Sequence, residues 1–139
     1  MSGGLTSSSI GKKLLMALSG FFLLVFLLQH FTINFLSLIS EDLFNHVSHF
    51  MGTNFLVQFI LQPLLMFGVV FHLLMGMYLD RKNKLARPVR YAMESASHNS
   101  SWISRNMIIT GIMIMLFLAL HFYDFWIPEI RVKYIEGDM

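Results

Sequence analysis

Long apolar stretches alternate with short charged clusters along this chain. Three stretches lack Asp, Glu, Lys and Arg: those between Lys13 and Glu41, between Asp42 and Asp80, and between Arg105 and Asp124. Crossing the apolar part of a bilayer takes about 20 mostly apolar residues of α-helix. The pattern predicts three transmembrane helices, at about 11–38, 54–79 and 103–127. We therefore expect an all-α transmembrane helix bundle that forms a single domain over residues 1–139.

The first and third predicted helices share a sequence pattern. Residues 18–31 read LSGFFLLVFLLQHF and residues 109–122 read ITGIMIMLFLALHF. Each copy has a hydroxyl residue and a glycine, then nine largely apolar residues, then histidine and phenylalanine. A further phenylalanine, Phe26 or Phe117, precedes each histidine by about one helical turn. An ionisable residue inside a membrane helix is costly, so its repetition indicates a functional site.

The composition supports a membrane protein and excludes several kinds of site. Hydrophobic residues make up 55% of the chain and charged residues 13%, and the mean hydropathy is +0.62. Soluble domains have about a quarter of their residues charged. The absence of cysteine excludes disulfides, cysteine-ligated iron–sulfur clusters and thioether-attached haem. No phosphate-binding glycine loop is present, and basic residues only at helix ends give no indication of a nucleic-acid partner.

The basic residues predict the orientation in the membrane. The link after the second helix contains five of them, Arg81, Lys82, Lys84, Arg87 and Arg90. Lys12 and Lys13 precede the first helix, whereas the link between the first two helices has only the acidic Glu41 and Asp42. By the positive-inside rule, the amino terminus and the basic link are expected on the cytoplasmic side. Pro128 is expected to end the third helix, because proline interrupts α-helical hydrogen bonding.

One histidine occurs in each predicted helix: His30, His72 and His121. At about 1.5 Å of rise per residue, His30 and His121 lie ~26 Å and ~24 Å from the basic ends of their helices. His72 lies only ~13 Å from the basic end of the second helix, which runs in the opposite direction. The sequence therefore predicts that His30 and His121 share one level in the membrane and that His72 lies at another.

Histidines on facing helices suit a haem. Two neutral imidazoles at one level can ligate its iron from both sides, and helix-bundle cores house such cofactors. Zinc fits less well, because it takes four close ligands that usually include cysteine or a carboxylate. A single intramembrane histidine can also act only as a hydrogen-bonding residue between helices, worth about 1 kcal/mol. Three such residues, one per helix, favour the haem.

Small residues accompany the histidines. Gly68 and Gly76 lie four residues before and after His72, on the same helix face. They either leave room for a porphyrin or allow ordinary close packing of helices. Ser19 and Thr110 each precede the histidine of their repeat copy by eleven residues, which returns to nearly the same face. Their hydroxyls are expected near the level of His72, where they either meet a second haem or bond a carbonyl of their own helix.

These features resemble the cytochrome b membrane-anchor subunit of succinate dehydrogenase and fumarate reductase, in the five-helix, two-haem class. The matching segments are SGFFLLVFLLQHF, FHLLMGMYLDRKNKLARPVRY and SSWISRNMIITGIMIMLFLALHF, and they cover most of residues 10–127 in the family's order. The resemblance implies two b-type haems. It implies that His30 and His121 ligate the iron of the haem far from the catalytic subunits. His72 would ligate the nearer haem, opposite a ligand from outside residues 1–139, because the family has two further helices.

The resemblance also implies partners and a location. The family's anchor holds a flavoprotein and an iron–sulfur subunit to the bacterial inner membrane and passes electrons between the iron–sulfur chain and quinone. Succinate reacts on the flavoprotein, so no succinate-binding residues are expected here. Two alternatives belong to other classes of protein. One is a haem-free transmembrane scaffold whose histidines serve packing, and the other is a proton or cation carrier, for which no intramembrane acid completes a relay.

Overall fold

The computed structural model describes residues 8–86 and 101–137, without the side chains of residues 103 and 104. Within these ranges the chain is helical and has no strand. The α-helices are α1 (Ser9–Leu36), α2 (Glu41–Thr53), α3 (Gln62–Leu85), α4 (Trp102–Arg105), α5 (Met107–His121) and α6 (Ile127–Arg131). Segments of π-helix occupy Val57–Leu61, Phe122–Trp126 and Val132–Glu136. The all-α architecture predicted from the sequence is confirmed.

Three continuous helical runs are long and apolar enough to cross a membrane. They are Ser9–Leu36, Val57–Leu85 and Met107–Glu136, with 28, 29 and 30 residues. Each is ~42–45 Å long at 1.5 Å per residue, which exceeds the ~30 Å apolar core of a bilayer. Large apolar side chains are exposed along all three runs, and no hydrophobic side chain within the described ranges is fully buried. Such surfaces suit lipid, and the prediction of three transmembrane helices is confirmed.

The ends of the first run follow from hydrogen bonding rather than from hydropathy. Ser8 caps α1 by accepting a hydrogen bond from the backbone N–H of Gly11 at 2.9 Å. This cap starts the helix at Ser9, two residues before the predicted start. At the other end, the backbone N–H of Ser37 bonds the carbonyls of Asn34 and Phe35, and α1 ends at Leu36.

The predicted link between the first two spans contains an amphipathic helix. Ser40 caps α2 by accepting from the N–H of Leu43 at 3.3 Å, and the acidic residues of its first turn suit the positive end of the helix dipole. Asn54 then ends α2, and its side-chain oxygen accepts from the N–H of Leu56 and of Val57. This second cap starts the next helical run almost without a loop.

Two of the π segments lie immediately before prolines, in the same register. Pro63 and Pro128 each come six residues after the first residue of a π segment, Val57 and Phe122. A proline inside an α-helix lacks an N–H, and its ring clashes with the carbonyl four residues earlier. The wider π turn moves that carbonyl aside, so the helix continues. Pro128 therefore does not end the third run, contrary to expectation.

The third run continues to Glu136 and then stops at a glycine. Gly137 has φ +72°, and its N–H bonds the carbonyl of Val132, five residues earlier, which is the last hydrogen bond of the π segment. In the basic link, α3 ends at Leu85, and Lys84 forms an ion pair with Asp80 at 2.7 Å. The predicted basic residues Arg87 and Arg90 lie outside the described residues.

The chain divides into two compact units, Met1–Gly76 and Met77–Met139, and the boundary falls within α3. The first unit contains α1, α2 and most of α3, together with His30 and His72. The second contains the end of α3, the third helical run and His121.

Candidate functional site

His72 of α3 is held against α1 by a hydrogen bond. The hydroxyl oxygen of Ser19 lies 2.9 Å from Nδ1 of His72. The same hydroxyl donates to the backbone carbonyl of Met16, one turn earlier in α1, also at 2.9 Å. Ser19 and His72 are both half-buried. Two predicted site residues are therefore brought together, and the serine bonds both a carbonyl of its own helix and the histidine.

The close approach of the imidazole depends on Gly20. A methyl group at this position would lie 3.0 Å from Cε1 and 3.6 Å from Nδ1 of His72. The ring therefore rests directly on the backbone of α1, and a side chain at position 20 would require the ring to shift by a few tenths of an ångström. Gly20 was not among the site residues predicted from the sequence, although it follows Ser19 in the hydroxyl–glycine pair at the start of the repeat.

The two glycines that flank His72 contact α1. A methyl group at Gly68, which is buried, would lie 3.0 and 3.1 Å from two ring carbons of Phe22. A methyl group at Gly76 would lie 3.1 Å from the Cε of Met16. Both positions therefore receive side chains from α1, in the manner of small-residue helix packing.

An open groove lies beside this contact, between α1 and α3. Its volume is about 360 Å³, within the range of small-molecule sites. Phe22, Phe67 and Phe71 line it together with leucines, Gly68 and Ser19. The lining is almost entirely apolar, so the groove suits a hydrocarbon surface.

His30 and His121 have matching local geometry in the two copies of the repeat. The ring of His30 stacks on Phe26 with centroids 5.5 Å apart and 23° between the planes. His121 stacks on Phe117 at 5.6 Å and 20°. His121 also contacts Phe125 at 5.0 Å, within the π segment that follows it. The sequence repeat is thus a repeat of side-chain geometry, while the pairing of His30 with His121 stays a prediction.

Thr110 does not reproduce the contact made by Ser19. Its hydroxyl donates to the carbonyls of Met107 at 3.0 Å and Asn106 at 3.4 Å, both within its own helical run. A methyl group at the neighbouring Gly111 would meet no described atom within 4 Å. In the first copy the hydroxyl therefore contacts a histidine of the neighbouring helix as well as a carbonyl of its own helix.

The histidines suit a cofactor that brings its own metal ligands. In the described part of the chain, no three residues among histidine, aspartate and glutamate are grouped so as to hold a metal ion. A haem needs only one or two axial ligands from the protein. Nε2 of His72 has no hydrogen-bond partner among the described residues and is available for this role.

Comparison with protein-family models, with curated proteins and with solved structures found no match to this chain.

Proposed function

We propose that this chain is a haem-binding transmembrane subunit of the succinate dehydrogenase and fumarate reductase class, passing electrons between an iron–sulfur partner and quinone. The observation that carries the proposal is the equivalence of the two repeat copies. Both place a histidine at the same distance from a hydroxyl–glycine pair and stack it on a phenylalanine one turn earlier. Packing alone does not require an ionisable side chain at either position.

The residues of the chain supply ligation and orientation. A haem held by two imidazoles supplies reversible one-electron transfer. His30 and His121 would hold one haem, and His72 would hold one side of another, whose second ligand lies outside this chain. Phe26 and Phe117 restrict rotation of the two repeat histidines, because each ring is stacked across one helical turn. Neutral imidazole is the form of histidine that binds iron.

The proposed partners follow from the same class. A flavoprotein and an iron–sulfur subunit would dock on the cytoplasmic side, where the positive-inside rule places Lys12, Lys13 and the basic end of α3. Quinone and the lipid bilayer are the remaining partners. The location that this implies is a bacterial inner membrane with the amino terminus in the cytoplasm.

A haem-free transmembrane scaffold is the second candidate, and one observation favours it. Phe22 and Met16 already occupy the spaces at Gly68 and Gly76, which the first candidate could use for a porphyrin. In the scaffold, His72 and Ser19 would form an ordinary hydrogen bond between packed helices.

Absorbance spectra of membranes that contain the assembled complex distinguish the two candidates. The haem protein should show a b-type reduced-minus-oxidised spectrum. His30→Ala and His121→Ala should each remove the same component, and the double variant should remove nothing further, because ligands of one iron act as a unit. His49→Ala, at an exposed position of α2, is the matched control and should leave the spectrum unchanged. An intact purified complex without a Soret band would contradict the haem proposal and support the scaffold.

A further inference from the structure

The contact between Ser19 and His72 indicates whether the serine oxygen or Nδ1 of the histidine is the donor. A serine hydroxyl has one proton to donate and two lone pairs to accept with. The backbone carbonyl of Met16 can only accept, and it lies 2.9 Å from the Ser19 oxygen. Nδ1 of His72 lies at the same distance on another side of that oxygen. If the serine proton is directed to Met16, the Ser19 oxygen faces His72 as an acceptor, and Nδ1 must carry the proton.

We infer that Ser19 is a positioning residue that selects the tautomer of His72 protonated at Nδ1 and so leaves the lone pair of Nε2 free to bind a metal. Neutral imidazole has one protonated and one unprotonated nitrogen, and the hydrogen bond made by the first decides which nitrogen is the ligand. Metal-binding histidines regularly donate their other N–H to an oxygen of the protein. The part of the inference that concerns metal binding rests on the proposed haem function, whereas the tautomer does not.

The opposite arrangement is disfavoured by the surroundings of Nε2. With Nδ1 as the acceptor, the proton would move to Nε2, which has no acceptor among the described residues. An N–H group without a partner in an apolar environment is rare and costly, and an acceptor without a donor is tolerated better. The arrangement with Nδ1 protonated therefore satisfies the donors of both side chains.

Gly20 keeps the imidazole in the place where this bond can form. A methyl group there would lie 3.0 Å from Cε1 of His72, so the ring would have to shift by a few tenths of an ångström. The second copy of the repeat supplies a natural comparison. Thr110 bonds only backbone carbonyls of its own run, and Gly111 has no described neighbour within 4 Å. The positioning role is therefore assigned to Ser19 and Gly20 of the first copy.

Nitrogen-15 NMR of the full chain in lipid vesicles without haem tests the tautomer directly. The chain is labelled with ¹⁵N-histidine, and the signals of His72 are identified by their loss in His72→Gln. In the wild type, Nδ1 should be protonated and Nε2 unprotonated. Ser19→Ala should move a large part of the population to the form protonated at Nε2, and Ser19→Thr, which keeps the hydroxyl, should restore the wild-type signals.

Ser37→Ala is the matched control. Ser37 makes the same bond to a carbonyl three residues earlier, at 2.7 Å, without a histidine partner. This variant should leave the His72 signals unchanged. A wild-type His72 protonated at Nε2, or identical tautomers in wild type and Ser19→Ala, would overturn the inference. If Ser19→Ala fails to fold, the wild-type spectrum still tests the inference, because a His72 protonated at Nε2 would overturn it.

A second measurement separates this inference from the haem proposal. In the haem-loaded complex, Ser19→Ala should lower retention of the component that depends on His72 by about 10–100-fold, as is typical when an outer-shell partner of a metal ligand is lost. It should also shift the reduction potential of that component only. If the NMR result holds and no haem is present, the haem proposal fails and the tautomer stands. If haem binds and Ser19→Ala changes neither potential nor retention, the positioning role fails and the haem proposal stands.

Discussion

Replacing Gly68 by alanine should weaken the packing of α3 on α1. The added methyl group would lie 3.0 and 3.1 Å from Cε1 and Cδ1 of the Phe22 ring. Carbon atoms of packed side chains prefer about 3.5–4.0 Å, so the ring or the helix must move by several tenths of an ångström. Gly111 offers the same substitution in another apolar helix, where the methyl group would meet no described atom within 4 Å.

The comparison of the two variants isolates the packing cost. Alanine has less backbone freedom than glycine in the unfolded chain. Each substitution therefore stabilises the helix by about 0.5–1 kcal/mol through this effect alone. This contribution is similar at both positions and cancels in the difference. Forcing a methyl group into an occupied space costs about 1–3 kcal/mol. The free energy of unfolding of Gly68→Ala should therefore lie about 1–3 kcal/mol below that of Gly111→Ala.

The assay is the unfolding of the haem-free chain by sodium dodecyl sulfate in mixed micelles, followed by tertiary-contact fluorescence. Helices persist in this detergent, so the measured free energy reports mainly on contacts between helices. Equal stabilities of Gly68→Ala and Gly111→Ala, within about 0.5 kcal/mol, would refute the contact between Gly68 and Phe22.

The same variants address the role of the glycines in haem binding. If Gly68 exists to clear space for a porphyrin, Gly68→Ala should reduce the haem content of the assembled complex and leave the haem-free chain as stable as Gly111→Ala. If Gly68 serves helix packing, the haem-free chain itself should be destabilised. The sequence left both interpretations open, and the distances to Phe22 favour the second.

Three further predictions concern the membrane placement and the prolines. The chain has no cysteine, so Lys84→Cys and Asn45→Cys each create a single labelling site, and an impermeant maleimide should reach the first only from the cytoplasm and the second only from outside. Because α2 is amphipathic and lies between two spans, an environment-sensitive dye on Phe50→Cys should emit at shorter wavelength than the same dye on Asn45→Cys, and equal spectra would argue against an interfacial helix. Pro128→Ala restores a backbone N–H and allows the preceding turn to return to α-helix. It should therefore raise the free energy of unfolding by up to ~3 kcal/mol and convert the preceding π segment to α-helix, which backbone ¹³C shifts report. An unchanged π segment in Pro128→Ala would mean that another feature produces it.

The number and type of the membrane-spanning helices could be predicted because hydropathy determines them. The charge-free stretches have 18 residues or more, and such apolar stretches have few structures available in a membrane other than helix, since every backbone polar group must find a partner within the chain. The ends of the helices could not be predicted in this way. They depend on single hydrogen bonds, such as the cap by Ser8 and the left-handed Gly137, which a hydropathy average does not contain.

The prediction that the third helix ends at Pro128 was wrong for a physical reason. The expectation that proline ends a helix assumes a strict hydrogen bond to the fourth preceding residue. One extra residue per turn removes the clash, as the identical arrangement before Pro63 shows.

Residue counting gives the depth of the candidate-site residues along their helices, but it does not give the contacts that their side chains make. Counting residues placed Ser19 near the level of His72, and the two side chains do meet at 2.9 Å. The count placed Thr110 at the same level by the same argument, yet its hydroxyl bonds only carbonyls of its own run. Helical periodicity determines the depth of a residue in the membrane and the helix face on which it lies. A contact also needs a partner side chain on the neighbouring helix and a backbone position without a side chain, against which that partner can pack. In the first copy, Gly20 is the position without a side chain, and the partner is His72 of α3. The two copies of the repeat therefore share the stacked phenylalanine and histidine but differ in what the hydroxyl does, and a variant of Ser19 should affect His72 in a way that no variant of Thr110 does.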